Sequence, residues 1–154
     1  MGIGFIHKMN DLLAKISIIQ QKYIETISLL CQDHNHAHTK QIALVLQVKM
    51  PSVVDALKGL AKLNLINYRT RQPVTLTRDG EVVALKLNAR HKAFSDFFNL
   101  ALGLDVTYSE QLACSIEHVV DDELKNRLSS FNSYIERKPE IKELISQFKK
   151  EQNK

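Results

Sequence analysis

Residues 39–63, TKQIALVLQVKMPSVVDALKGLAKL, decide how the chain is read. Thr39 suits a helix start, and Ile42, Ala43, Leu44 and Leu46 make Lys40 to Leu46 a short apolar helix. Gln47 to Met50 form a tight connection. Pro51 then fits the first turn of the next helix, where its missing N–H costs nothing. That helix runs to about Leu63, with Val53, Val54, Leu57, Leu60 and Ala61 facing inward. Two short helices joined this closely are a helix-turn-helix arrangement. In the continuation NLINYRTRQPVTL, residues 64–76, the period changes. Leu65 to Tyr68 and Val74 to Leu76 read as strands joined by Arg69-Thr70-Arg71-Gln72-Pro73. A basic hairpin directly after a helix-turn-helix is a wing.

Upstream, Phe5, Met9, Leu12, Ile16, Ile19, Tyr23, Ile27 and Leu30 recur at steps of three and four. They mark one amphipathic helix or two placed end to end. Gln32 to His38 reads as a polar loop. Its alternating His34, His36 and His38 are taken as solvated, with capture of a metal ion by an extended loop as the other reading. Downstream, Thr77 to Gly80 opens a long helix that ends near Gly103. Its inner stripe is Val83, Leu87, His91, Phe94, Phe98 and Leu102. Thr107 and Glu110 have capping-box spacing, which predicts a helix to about Val120. Further helices are expected from Asp122 to Ile135 and, after Pro139, from Glu140 to about Lys150. The class is mainly α.

A chain of 154 residues makes one domain or two small ones. Five Gly and three Pro are too few for a turn-rich β-sandwich or a collagen-like chain. No apolar run approaches the ~18 residues of a membrane span, and Met1 to Asn10 lacks the pattern of a secretory leader. Cys31 and Cys114 are too few for a disulfide framework, so free thiols in a cytoplasmic protein are expected, with no membrane partner. Net charge is +4, and its placement is informative. Residues 39–90 carry nine Lys and Arg against three carboxylates, whereas residues 91–154 carry nine against eleven. A positive field over the middle third is what a phosphate backbone attracts.

The chemistry lies further on. Steps of three and four put Glu110, Cys114, Glu117, His118 and Asp121 along one helical face, with Leu112, Ile116, Val119 and Val120 on the apolar side. A thiol, a carboxylate and an imidazole within one turn are the donors of a transition-metal site. They need partners from elsewhere, and His91 and Glu25 are the candidates. Each has an ordinary reading when taken alone. His91 would be a core histidine, Glu25 an exposed helix carboxylate, Cys114 a small hydrophobe and Glu110 a capping residue. No Ser/His/Asp set, glycine-rich phosphate loop or H-E-x-x-H motif is present, which argues against an enzyme. A small metalloenzyme using Cys114, His118 and His91 is the reading from another class.

Several segments together resemble one family. They are Tyr23-Ile24-Glu25, the helix-turn-helix around Pro51-Ser52-Val53, Leu76-Thr77-Arg78-Asp79-Gly80, Ala89-Arg90-His91, Gly103-Leu104-Asp105 and Cys114-Ser115-Ile116-Glu117-His118. From about Lys22 to Ile135 the chain resembles the diphtheria-toxin-repressor and manganese-transport-regulator family of metal-dependent repressors. The resemblance implies a winged-helix DNA-binding domain, residues 1–88 with an N-terminal helical extension. A helical metal-binding and dimerisation domain, residues 89–154, follows, without the SH3-like third domain of some members. It also implies Glu25, His91, Cys114, Glu117 and His118 as ligands of Fe²⁺ or Mn²⁺, with Zn²⁺ or Co²⁺ as substitutes and Glu110 as a further candidate. Cys114 stands where members carry Cys or Glu, and a soft thiolate favours iron over manganese. Two residues depart from the pattern. Lys22 stands where the family has Met or Asp, and Ser95 where some members place a Glu, which puts a binuclear site in doubt. An inward Lys22 would pair with Glu117 or Glu25 and imitate the cation, giving a regulator of the same fold without metal dependence.

The expected function is a metal-responsive repressor of metal-homeostasis genes. In this fold the second helix of the motif enters the major groove by its N-terminus, so Pro51, Ser52 and Asp55 face bases. Lys49, Ser52 and Lys58, with Arg69 and Arg71 of the wing, reach phosphates. Phe94, Phe97, Phe98, Leu102, Leu112, Ile116 and Leu128 exceed what a small helical unit buries by itself. A homodimer on a pseudopalindromic double-stranded operator is therefore expected.

Overall fold

The structure is a computed structural model and describes residues 12, 13 and 15–152. Phe5 and Met9 of the N-terminal stripe, and the side chain of His34, lie outside the described residues. Among the described residues the order is α1 (Ile18–His34), α2 (Thr39–Leu46), α3 (Met50–Lys62), β1 (Ile66–Asn67), β2 (Thr75–Leu76), α4 (Arg78–Leu102), α5 (Val106–Ile116), α6 (Asp122–Arg137) and α7 (Pro139–Gln152). The chain divides into two compact units, Met1–Leu87 and Asn88–Lys154, and α4 runs from the first into the second.

In the first unit, α1 starts at a capping box. Ser17 Oγ accepts from the Gln20 N–H at 3.2 Å, and Gln20 Oε1 accepts from the Ser17 N–H at 2.9 Å. The apolar stripe therefore breaks at Ser17, and a phase carried across the break misplaces Ile19, which is 68% exposed. The buried face is Tyr23, Ile24 and Ile27. The N-cap of α2 is His38 rather than Thr39, and its N–H donates to Gln41 Oε1 at 2.9 Å. Val53, Leu57 and Leu60 of α3 are fully buried beside Ile42 of α2, so the helix-turn-helix core is as its pattern dictates.

The wing is shorter than its β-branched residues suggest. Ile66 pairs with Leu76 and Asn67 with Thr75, antiparallel. Val74 leaves that ladder and bridges to Ala37 in the loop after α1, exchanging hydrogen bonds of 2.8 and 2.7 Å. Thr77 then ties the wing to α4. Its hydroxyl donates to Asn64 O at 2.7 Å and accepts from the Gly80 N–H at 3.1 Å. Gly80 is required by close approach, because a Cβ there would stand 1.9 Å from Leu65 O.

The second unit buries less apolar surface: Ala93, Phe94, Ala113 and Ile135 are buried, together with Ser95, Ser109, Glu117 and Asn132. Asn132 donates to Ala93 O at 2.9 Å and so joins α6 to α4. Gly103, at φ 73°, ends α4 in the left-handed conformation that favours glycine. The capping box expected at Thr107 does not form. Asp105 is the N-cap of α5, accepting from the Tyr108 N–H at 3.0 Å, and Glu110 is left for another use. Nor does α5 reach Val120. It stops at Ile116 with Glu117 as C-cap, and Asp121 caps α6 by accepting from the Leu124 N–H at 2.8 Å. Asp121 therefore leaves the face expected for it, whereas Glu117, still in helical conformation with its N–H on Ala113 O, stays in line with Glu110.

Candidate metal centre

The turn between α5 and α6 is held against α4 by Arg90. Its guanidinium donates twice to Asp122 Oδ1, at 2.8 Å from Nη2 and 3.2 Å from Nε. The next residue, His91, faces α5. Its Nδ1 lies 2.7 Å from Glu117 Oε2, and its Nε2 hydrogen-bonds Glu110 Oε2. One helical turn further along α4, Ser95 donates its hydroxyl to Glu110 Oε1 at 2.5 Å. His118 Nε2 lies 3.5 Å from Glu117 Oε1, and both side chains are almost fully buried, at 3% and 2% exposed.

This arrangement is electrostatically charged. The hydrogen bond to Glu117 pushes the His91 imidazole up to about 9, with Glu110 adding to the rise and burial opposing it. The same contact, helped by the Ser95 hydroxyl, holds the Glu110 carboxyl below its ordinary value. A carboxylate as buried as Glu117 is costly without compensating positive charge. Protonated His91 supplies that charge here, and a divalent cation would do so in its place.

The donor set fits a metal ion. A ligating imidazole gives one nitrogen to the ion and usually donates its other N–H to a carboxylate, which fixes the ring. His91 stands between two carboxylates, so this division of roles is already built. Of the expected ligands in this unit, the structure brings His91, Glu117 and His118 together and adds Glu110. Cys114 lies on α5 between Glu110 and Glu117, one turn from each, and is exposed. Glu25 belongs to the first unit and is half-buried on α1. Lys22 is exposed on the same helix. The roles of Arg90 and Ser95 in holding the cluster were missed by the sequence reasoning. The four-residue step from His91 to Ser95 along one helix is the signal that carries the second.

The other expected site lies in the first unit. Lys49 is the N-cap of α3, and Pro51, Ser52, Asp55 and Lys58 are all exposed along that helix. Arg69 and Arg71 are exposed in the wing loop, where Arg71 takes a positive φ of 63°.

A helix-turn-helix with a basic wing, followed by a helical unit that gathers carboxylates around imidazoles, defines a metal-dependent DNA-binding regulator. Residues 77–145 match the family described as iron dependent repressor, metal binding and dimerisation domain. The chain is 33% identical over 112 residues to an uncharacterized HTH-type transcriptional regulator of Methanocaldococcus jannaschii, covering 72% of this chain and 90% of that one. It is 32% identical over 109 residues to the transcriptional regulator MntR of Salmonella typhimurium, covering 71% and 69%. A manganese-dependent transcriptional repressor solved with manganese is similar in structure, with a TM-score of 0.68 and 26% identity over 75% of this chain and 53% of that one. The manganese regulator SloR gives 0.65 at 26% identity, covering 75% and 54%. The chain thus spans about half the length of these solved structures. It belongs to the family of iron- and manganese-dependent transcriptional repressors, whose members are regulators and not enzymes. No helix among the described residues is long and apolar enough to cross a membrane.

Proposed function

We propose that the chain is a metal-responsive repressor that binds a pseudopalindromic double-stranded operator as a homodimer and controls metal-homeostasis genes from the cytoplasm. The observation that carries this reading is the buried Glu117 carboxylate lying against His91 and beside His118. Residues 1–88 would read DNA, and residues 89–154 would hold the metal and dimerise. The ligands in this reading are His91, Glu117, His118, Cys114 and Glu25. Glu110, on the other ring nitrogen of His91, orients the ring. When bound, Fe²⁺ or Mn²⁺, or Zn²⁺ or Co²⁺ in substitution, would supply two positive charges and fixed coordination to these carboxylates and imidazoles. Cys114 favours iron among these, since thiolate is a soft donor. A single ion per chain is favoured, because Lys22 is exposed and Ser95 contributes a neutral hydroxyl already engaged by Glu110.

For the DNA contact, the exposed first turns of α3 would enter the major groove through Pro51, Ser52 and Asp55. Lys49, Lys58, Arg69 and Arg71 would neutralise phosphates. Dimerisation is supported by the apolar surface of the second unit, where Phe131 and Phe148 are 45% and 44% exposed. The test is operator binding by purified protein, measured by fluorescence anisotropy in EDTA and with each divalent metal in turn. Metal is expected to tighten binding to the operator. Equal affinity under all conditions would overturn the metal response, and a monomer at tens of micromolar would overturn the dimer.

A further inference from the structure

We propose that His36 and His38 form a second cation site, made of imidazoles alone, at the base of the wing. It would take a borderline divalent cation of the Zn²⁺, Ni²⁺ or Cu²⁺ class and would be indifferent to Mn²⁺.

The site follows from the one pairing in the wing that the sequence does not announce. Ala37 is fully buried and exchanges two backbone hydrogen bonds with Val74. In extended backbone, residues two apart point to the same side and the residue between them to the other. With Ala37 fixed inward, His36 and His38 are carried together on the outer side. Their Nε2 atoms lie 3.2 Å apart, and the rings meet edge to face with centroids at 4.9 Å.

That separation has two chemical meanings. Between neutral rings of suitable tautomers it is an N–H···N hydrogen bond. It is also the span of two nitrogen donors on one ion. A Zn–N bond of about 2.0–2.1 Å places two tetrahedral donors about 3.3 Å apart. The separation already suits an ion in place of the shared proton, each ring turning to aim its nitrogen at it, and the backbone that sets the spacing is ordered. Water fills the remaining positions, since His38 is exposed and His36 half-exposed.

Donor type sets the selectivity. Imidazole suits Zn²⁺, Cu²⁺ and Ni²⁺, whereas Mn²⁺ prefers carboxylate, carbonyl and water oxygen. None of the residues proposed for the Glu117 cluster takes part, so the two sites are separable by mutation. His38 is also the N-cap of α2, so a bound ion would join the wing's partner segment to the first helix of the DNA-reading motif.

The experiment titrates Zn²⁺ into the full chain against a chromogenic chelator, for wild type, His36→Asn, His38→Asn and Glu117→Gln, with Mn²⁺ uptake measured in parallel. Wild type is expected to take up one more equivalent of Zn²⁺ than either histidine variant. Glu117→Gln should keep that equivalent, and both histidine variants should keep wild-type Mn²⁺ uptake. Zn²⁺ uptake unchanged in both histidine variants would overturn the proposal. Loss of Mn²⁺ uptake in them would overturn the independence of the two sites.

Discussion

Replacing Glu117 by Gln removes charge from the cluster and little volume, and its effect on the metal-free protein should depend on pH in a calculable way. His91 is raised from 6.5 to about 9, with the hydrogen bond to Glu117 as the largest cause. A group whose folded value is raised stabilises the fold fully below its unfolded value, and that contribution is lost as pH rises through the folded value. For the full shift it amounts to about 3 kcal/mol at pH 6, about 2.5 kcal/mol at pH 7 and close to zero at pH 10. Glu110 remains in the variant and keeps part of the shift, and the His91 side chain is 29% exposed. The Glu117 share is therefore nearer 1.5 kcal/mol at pH 6. The assay is urea unfolding in EDTA, for wild type and Glu117→Gln, at pH 6 and pH 10. Relief of burying a carboxylate offsets the loss at both pH values, so the informative quantity is the difference between them. The variant should lose about 1.5 kcal/mol more at pH 6 than at pH 10. An equal effect at both would mean that His91 does not carry its proton on account of Glu117.

Other substitutions test other joints. Gly80→Ala forces a Cβ to within 1.9 Å of Leu65 O, so backbone must move. A loss of about 3 kcal/mol is expected, read as a fall of roughly 10 °C or more in the melting temperature of the first unit. Arg71→Ala should reduce the salt dependence of DNA binding by about 0.9 in log–log slope if it neutralises one phosphate, equally on matched and mismatched operators. Asp55→Ala should instead change which operator is preferred, and identical behaviour of the two variants would refute the division of roles. In the cobalt-substituted protein, Cys114→Ala should abolish a thiolate charge-transfer band; an unchanged spectrum would remove Cys114 from the ligands.

The DNA-reading unit was legible because its signals are local and redundant. Val53, Leu57 and Leu60 repeat at helical spacing, Pro51 fixes a start, and Arg69 to Pro73 interrupt two short apolar runs. Each acts over a few residues, so pattern alone places it. What pattern did not show was the bridge between Ala37 and Val74, a contact between residues 37 apart in a loop with no strand-like composition. Ser17 was hidden differently. An uninterrupted apolar stripe outweighed a single capping residue, although Ser17 and Gln20 have the spacing of a capping box.

The metal cluster was legible in its residue types and only partly in its geometry, and the end of α5 explains why. Steps of three and four assume a helix through Glu117, His118 and Asp121, yet the helix stops at Ile116. Asp121 and Asp122 are the cause. Asp121 caps the following helix and Asp122 binds Arg90, so the chain must turn before them. Glu117 itself keeps the helical conformation with its N–H on Ala113 O, so it stays in line with Glu110 two turns earlier, and the two carboxylates take His91 Nδ1 and Nε2. Asp121, placed in the metal row by its spacing, instead caps the next helix. Asp122→Asn would leave every proposed ligand in place and loosen the Arg90 contact that holds the turn. A weaker metal affinity in that variant, with the cobalt spectrum retained, is what this account requires; an unaltered affinity would show that the turn holds its position without Arg90.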